Sequence, residues 1–137
     1  MAKQQISSDI ASLPRSETAP RRKVFVRGLI LDAFIGAYDH EQGVKQPIAI
    51  DLEADVVEPS QPVGDRLEDV VCYDKLTDGV RTIISEGHIK LVETLAERVA
   101  ELALSHPMVL GVMVRITKPN AIVEADAAGV EIFRSKS

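Results

Sequence analysis

Lys118 closes the run Val114-Arg115-Ile116-Thr117 and is followed by Pro119. Proline offers no N–H to a ladder, so the run reads as a strand that stops there, with a lysine as its last side chain. An amine at a strand end is well placed to be desolvated and tuned for proton transfer, although many such lysines are solvated charges that guard an edge. Its company elsewhere shifts the balance. Gly36-Ala37-Tyr38-Asp39-His40-Glu41 carries one carboxylate, Gln46 an amide, Tyr73 a phenol and Leu91-Val92-Glu93 a second carboxylate. These are the parts of general acid–base chemistry on a polar ligand. Cys72 has no base placed for it by sequence and is read as a small buried thiol rather than a nucleophile. His40, His88 and His106 lack zinc-like spacing, and His40 beside Asp39 and Glu41 is too thin a cue to assign a metal.

The elements that must position these residues follow from periodicity. Lys23 to about Ala37 is apolar, β-branched and aromatic, a first strand despite Gly28. Ile48, Ile50, Leu52, Ala54 and Val56 alternate with Ala49, Asp51, Glu53 and Asp55, the period of a strand with one buried face. The Asp39–Gly43 stretch between them is a turn, so the two strands pair antiparallel. Pro59 to Gly64 is a loop.

Tyr73, Leu76, Val80, Ile83 and Ile84 recur at helical spacing, with Asp74 as the expected N-cap and Gly87 beyond the end. Leu91, Val92, Leu95, Val99 and Leu102 form the stripe of a second helix, stopped by Ser105-His106-Pro107. At 100° per residue, Glu93 falls on the margin of that stripe, near Ala96 and Ala100. Val109–Lys118 and Gly129–Phe133 are the third and fourth strands. The order is ββααββ: an α+β fold with a four-stranded antiparallel sheet and two helices on one face. Two edge strands remain to be satisfied, and joining sheets into a ring would do so.

The chain has 137 residues and a formal charge of −5. That length suits one core, and the charge argues against a nucleic-acid partner held by a basic face. Tryptophan is absent, which disfavours stacking surfaces for bases or sugars. A single cysteine rules out an internal disulfide and suits a reducing compartment. No apolar run is long enough to span a membrane, and the N-terminus lacks a secretory signal, so a cytoplasmic location is expected. Residues 1–22 read as a disordered tail and 23–137 as the folded domain.

Taken together, several motifs resemble the dihydroneopterin aldolase family of folate biosynthesis. They are Ile35-Gly-Ala-Tyr-Asp-His-Glu-Gln42, Gln46, Asp65 through Val71-Cys72-Tyr73, Leu91-Val92-Glu93-Thr94-Leu95-Ala96-Glu97, Lys118-Pro119 with Ala121-Ile122, and Gly129-Val130 ahead of Arg134. Each is commonplace alone; their order and intervals are specific. The resemblance implies the tunnelling fold, an oligomeric barrel of sheets joined side by side, with two tetrameric rings stacked into a homo-octamer and active sites between adjacent subunits. It implies retro-aldol cleavage of a pterin substrate, 7,8-dihydroneopterin, to 6-hydroxymethyl-7,8-dihydropterin and glycolaldehyde, with no cofactor, no metal and no Schiff base.

By that resemblance Lys118 is the catalytic amine and Glu41 organises water and receives the proton of the 2′-hydroxyl. Tyr73 supplies the proton that quenches the enolic intermediate. Glu93 anchors the pterin, a carboxylate being able to accept in parallel from the ring N3–H and the 2-amino group. Val71 and Cys72 line the slot through backbone groups, and Ala37 is a small residue beside it. His88-Ile89-Lys90 offers no capping side chain before Leu91, which leaves amides near Val92 and Glu93 for the pterin carbonyl. Tyr73 could instead begin the apolar stripe of the first helix, and Glu97 and Glu101 read as helix-surface glutamates. Val123-Glu124-Ala125 and Ala127-Ala128 depart from the family pattern near the substrate's side chain. The alternatives are a 2′-epimerase acting on dihydroneopterin or its triphosphate, and a pterin-binding protein of the same fold without turnover.

Overall fold

Alternating apolar residues build the sheet first. In a computed structural model describing residues 21–58 and 64–136, the strands are β1 (Arg22–Phe34), β2 (Lys45–Val56), β3 (Val109–Lys118) and β4 (Ala128–Ser135). Two helices, α1 (Tyr73–Ser85) and α2 (Val92–Leu104), stand between β2 and β3. Neighbours pair antiparallel in the order β1-β2-β3-β4, as the ββααββ pattern requires. The expected tail over residues 1–20 and most of the loop from Pro59 lie outside the described residues. Arg22, assigned to that tail, already pairs with Val56 in β1.

Ile48, Ile50, Leu52, Ala54 and Val56 of β2 and Val112, Val114 and Ile116 of β3 are buried, as their alternation demands. Leu76 and Val80 of α1 and Leu95, Ala96, Val99, Ala100 and Ala103 of α2 close the core from the helical side. Burying each of the larger side chains stabilises the fold by roughly 1.5–3 kcal/mol. Arg134 at the end of β4 donates to both carboxylate oxygens of Glu97, tying that edge strand to α2. Glu97 is thus a surface glutamate with a partner.

Two local expectations change. Asp74 lies inside the first turn of α1; Cys72 is the N-cap and makes no side-chain capping bond. β1 ends at Phe34 instead of running to Ala37, because Ile35 leaves the ladder and bridges in parallel to Ile89. Gly36, at φ 132°, then turns the chain.

Gly28 is the residue that keeps β1 in phase. Val26 pairs with Leu52 and Leu29 with Ile50, so Arg27 and Gly28 together oppose Asp51 in a bulge. Gly28 sits at φ 69°, and its N–H donates to the Asp51 carboxylate at 2.6 Å. One extra residue switches the inward parity from Val24 and Val26 to Leu29, Leu31 and Ala33, so both halves of β1 face the same core. Nothing lies within 4 Å of a Cβ built at Gly28, so a side chain there meets strain only from the backbone. Gly28→Ala is expected to cost about 1–2 kcal/mol, and Gly28→Asn less, since asparagine tolerates the left-handed region. Urea unfolding at fixed protein concentration checks this; equal losses for both variants would contradict it.

Candidate active site

The inward face of the sheet turns polar at one end. Along β3, Val114 and Ile116 point to the core, and Lys118 is the next residue of the same parity. Along β2, Ile50 and Ile48 point inward, and Gln46 continues that row. The strands are in register, with Ile50 opposite Ile116 and Ala49 opposite Thr117, so amine and amide emerge at the same corner.

Glu41 comes to that corner from the loop after β1. A short 3-10 turn over Asp39–Glu41 bends its side chain inward, where it is 8% exposed. Lys118 Nζ donates to Glu41 Oε2 at 2.5 Å, and Gln46 Nε2 donates to the same oxygen at 2.9 Å. The Tyr38 N–H donates to Oε1 at 3.2 Å. A Cβ at Gly36 would stand 2.1 Å from the Glu41 carboxyl carbon, so the carboxylate occupies the volume that any other residue would fill.

The electrostatics follow from the contacts. The Glu41 carboxyl, normally near 4.5, is held down at about 2, chiefly by the Lys118 hydrogen bond. Burial pushes the other way; Gln46, the Tyr38 N–H and the charge on Lys118 add to the lowering. Glu41 is therefore a fixed anion across the neutral range, paired to an ammonium that is itself largely buried.

The remaining candidates gather at the two helix starts. Val71 is buried and Cys72 is half-buried just before α1. Tyr73 opens α1 and is 60% exposed, so it is not a core residue of this chain. Val92 and Glu93 open α2; Glu93 is exposed, while its neighbours Ala96 and Ala100 are buried. Leu91, the N-cap, contributes no side-chain bond, so no side chain caps the first turn, where the Val92 and Glu93 amides lie. Ala37 is exposed beside Gly36. Among the described residues no hydrogen bond joins the Tyr73 phenol or the Glu93 carboxylate to the Lys118–Glu41 pair. A cleft of about 330 Å³ between β1 and the end of α1, lined by Leu31, Asp32, Phe34, Lys45, Arg81, Ile84 and Ser85, contains none of the candidates.

His40 stacks parallel on Tyr38 with ring centroids 5.8 Å apart, while Glu41 turns away to Lys118. Among the described residues no three His, Cys, Asp or Glu side chains group closely enough to hold a metal ion. None of the helices there is long and apolar enough to cross a membrane. Two residues carry structural work that periodicity does not disclose. Gln46 also bonds the Ile35 carbonyl at 2.7 Å, and His88 Nε2 lies 2.7 Å from the Gly36 carbonyl, 52 positions away in sequence. Only the position of Gln46, at the inward end of β2, could have marked it.

A carboxylate whose pKa falls on folding stabilises the native state above its unfolded value. Here that contribution is complete above about 4.5 and is lost as pH falls through about 2. Glu41→Gln cannot titrate there, so the stability gap between the two proteins should narrow steadily across that window in acid unfolding curves. A gap independent of pH would show that Glu41 is not held ionised by folding.

Comparison with known proteins identifies the family of the chain. The family model for dihydroneopterin aldolase (FolB) matches residues 24–133. The dihydroneopterin aldolase of Escherichia coli strain K12 is 31% identical over 114 residues, covering 83% of this chain and 93% of its own. A crystal structure of the Escherichia coli enzyme in complex with neopterin superposes with a TM-score of 0.76 at 30% identity, over 83% of this chain and 99% of that one. The Burkholderia thailendensis dihydroneopterin aldolase bound to guanine gives a TM-score of 0.74 at 35% identity, over 85% and 93% of the two chains. With the family model spanning residues 24–133 and a 31% identical relative matched over 93% of its length, this chain belongs to the dihydroneopterin aldolase family.

Proposed function

We propose that the chain cleaves 7,8-dihydroneopterin by a retro-aldol reaction to 6-hydroxymethyl-7,8-dihydropterin and glycolaldehyde, and that the Lys118–Glu41 pair moves the protons. The buried 2.5 Å contact between these two groups carries the reading. Breaking the C1′–C2′ bond requires that the 2′-hydroxyl lose a proton while the electron pair flows from C1′ into the C6–N5 imine, where N5 gains one. Lys118 as an ammonium donates to N5 and recovers a proton from the hydroxyl through water. Of the two tasks expected of Glu41, its pKa of about 2 suits orienting that water and the ammonium better than retaining the proton. The exposed Tyr73 phenol then protonates C1′ of the enolic intermediate while N5–H gives up its proton to restore the C6–N5 imine, that proton returning to the phenolate through water and leaving the hydroxymethyl product.

Recognition is assigned to the helix starts. Neopterin and guanine, the molecules bound by two relatives, share a 2-amino-4-oxopyrimidine edge. Glu93 accepts from the two donors of that edge, and the first-turn amides of α2 meet its carbonyl oxygen. Val71, Cys72 and Ala37 border the slot. Because Tyr73 and Glu93 are exposed in one chain and β1 and β4 are sheet edges, we place the complete site between subunits of a barrel, two tetrameric rings forming an octamer in the cytoplasm.

Incubation with 7,8-dihydroneopterin should release glycolaldehyde equally with and without a chelator; dihydromonapterin as the sole product would overturn the assignment in favour of an epimerase. Borohydride added together with 7,8-dihydroneopterin should leave Lys118 unmodified, because the electron sink is the ring imine and the substrate offers the amine no ketone or aldehyde carbonyl. Lys118→Ala should reduce kcat by about 10²–10⁴-fold while pterin affinity changes little. Glu93→Ala should instead weaken binding by about tenfold or more, since two ligand donors lose their acceptor. Normal pterin affinity in that variant would remove Glu93 from the site.

A further inference from the structure

Three consecutive carbonyls, beginning with that of the last residue of β1, are satisfied from outside the ladder. The Phe34 carbonyl accepts the Ile89 N–H at 3.0 Å, the Ile35 carbonyl accepts Gln46 Nε2 at 2.7 Å, and the Gly36 carbonyl accepts Gln42 Nε2 at 3.1 Å. The Gly36 carbonyl has a second and closer partner, His88 Nε2 at 2.7 Å. A carbonyl can only accept, so Nε2 carries the proton and donates. The Gly36 N–H completes the set by donating to the Ile89 carbonyl at 2.9 Å.

This arrangement spans two parts of the proposed site. On one side, Gly36 has no Cβ, and Glu41 lies against it with its carboxyl in that space. Any rotation of the Gly36–Ala37 peptide therefore moves the wall against which Glu41, and through it Lys118, is set. On the other side, His88 stands on the connector between α1 and α2, five positions before Glu93 and just ahead of the uncapped start of α2. The parallel bridge between Ile35 and Ile89 fixes the two backbones, and the imidazole fixes the peptide plane beyond that bridge.

We infer that His88 is a positioning residue for catalysis: its Nε2–H bond to the Gly36 carbonyl ties the Glu41 loop to the connector that opens α2. The inference rests on the proposed role of the Lys118–Glu41 pair, and the bond acts on that pair without touching substrate. Displacing the pair by a fraction of an ångström penalises the proton-transfer step more than ground-state binding. The side chain itself is exposed, so removing it opens no cavity in the core.

The test compares wild type with His88→Ala and His88→Gln, the glutamine placing an N–H donor at a similar reach. For His88→Ala, loss of one bond of ordinary strength should lower kcat by roughly five- to tenfold with KM within about twofold. His88→Gln should recover most of the loss. Amide hydrogen exchange over residues 36–42 should accelerate by a comparable factor in His88→Ala alone, with exchange in β2 and β3 unchanged. An unaltered kcat together with unaltered exchange overturns the inference. So does a glutamine variant as impaired as alanine, or acceleration spread through the whole chain, which would make His88 a residue of general stability. If wild type releases no glycolaldehyde, the proposed function falls, and the exchange comparison still decides whether His88 holds the loop.

Discussion

The contact between Lys118 and Glu41 is the constraint to which the other features of this corner are fitted. A carboxylate that is 8% exposed would be costly to bury alone, and a largely buried ammonium equally so; each makes the other tolerable. The two residues are 77 positions apart and belong to a loop and a strand end that never pair directly. They meet only because β2 holds β1 and β3 in a defined register and because its own Gln46 reaches the same oxygen. A one-residue slip of β3 against β2 would turn Lys118 to the opposite face of the sheet and leave the carboxylate unpaired. The ion pair thus reports on strand register as much as on chemistry.

The same dependence explains two glycines that sequence patterning treats as defects. Gly28 allows the bulge that brings Leu29, Leu31 and Ala33 onto the core side, and the chain therefore leaves β1 with Ile35 buried and ready to bridge to Ile89. Gly36 follows at once, and its missing side chain is the space the Glu41 carboxyl occupies. Glycine costs conformational entropy in both places; in return, one aligns the core and the other admits the anion beside it.

Much of this was legible in the residues. The alternation in β2 and β3 specified their buried faces, and Pro119 marked where β3 would stop, which put Lys118 at a strand end. The stripe of α2 placed Glu93 outside the core, where it is found. What could not be read were interactions with backbone partners remote in sequence. Asp74 looked like a cap because aspartate favours that role, yet α1 begins at Tyr73, one residue before it, and Cys72 takes the capping position. Ile35 has the composition of a strand, which extends the expected β1 beyond Phe34, while its actual partner, Ile89, lies beyond α1. Tyr73 fits a helical stripe by spacing, and only the packing of α1 shows its ring turned outward.

A division of labour follows from where hydrogen bonds are complete and where they are not. At the β2–β3 corner the Glu41 carboxylate has three donors and each carbonyl from Phe34 to Gly36 has a partner, so the Lys118–Glu41 pair is held by the fold itself. At the starts of α1 and α2 the opposite holds: Cys72 and Leu91 both occupy N-cap positions without offering a side-chain acceptor. First-turn amides left in that condition are stabilised by an external acceptor, and a carboxylate two residues into α2 presents the complementary charge to donors on the same ligand. Groups that must not move are satisfied internally, whereas groups that must bind are left with capacity to spare. A flat heterocycle carrying adjacent N–H donors and a carbonyl would meet both unsatisfied sets of α2 at once, which is why the proposed site puts recognition at that helix start and keeps the Lys118–Glu41 pair within the fold.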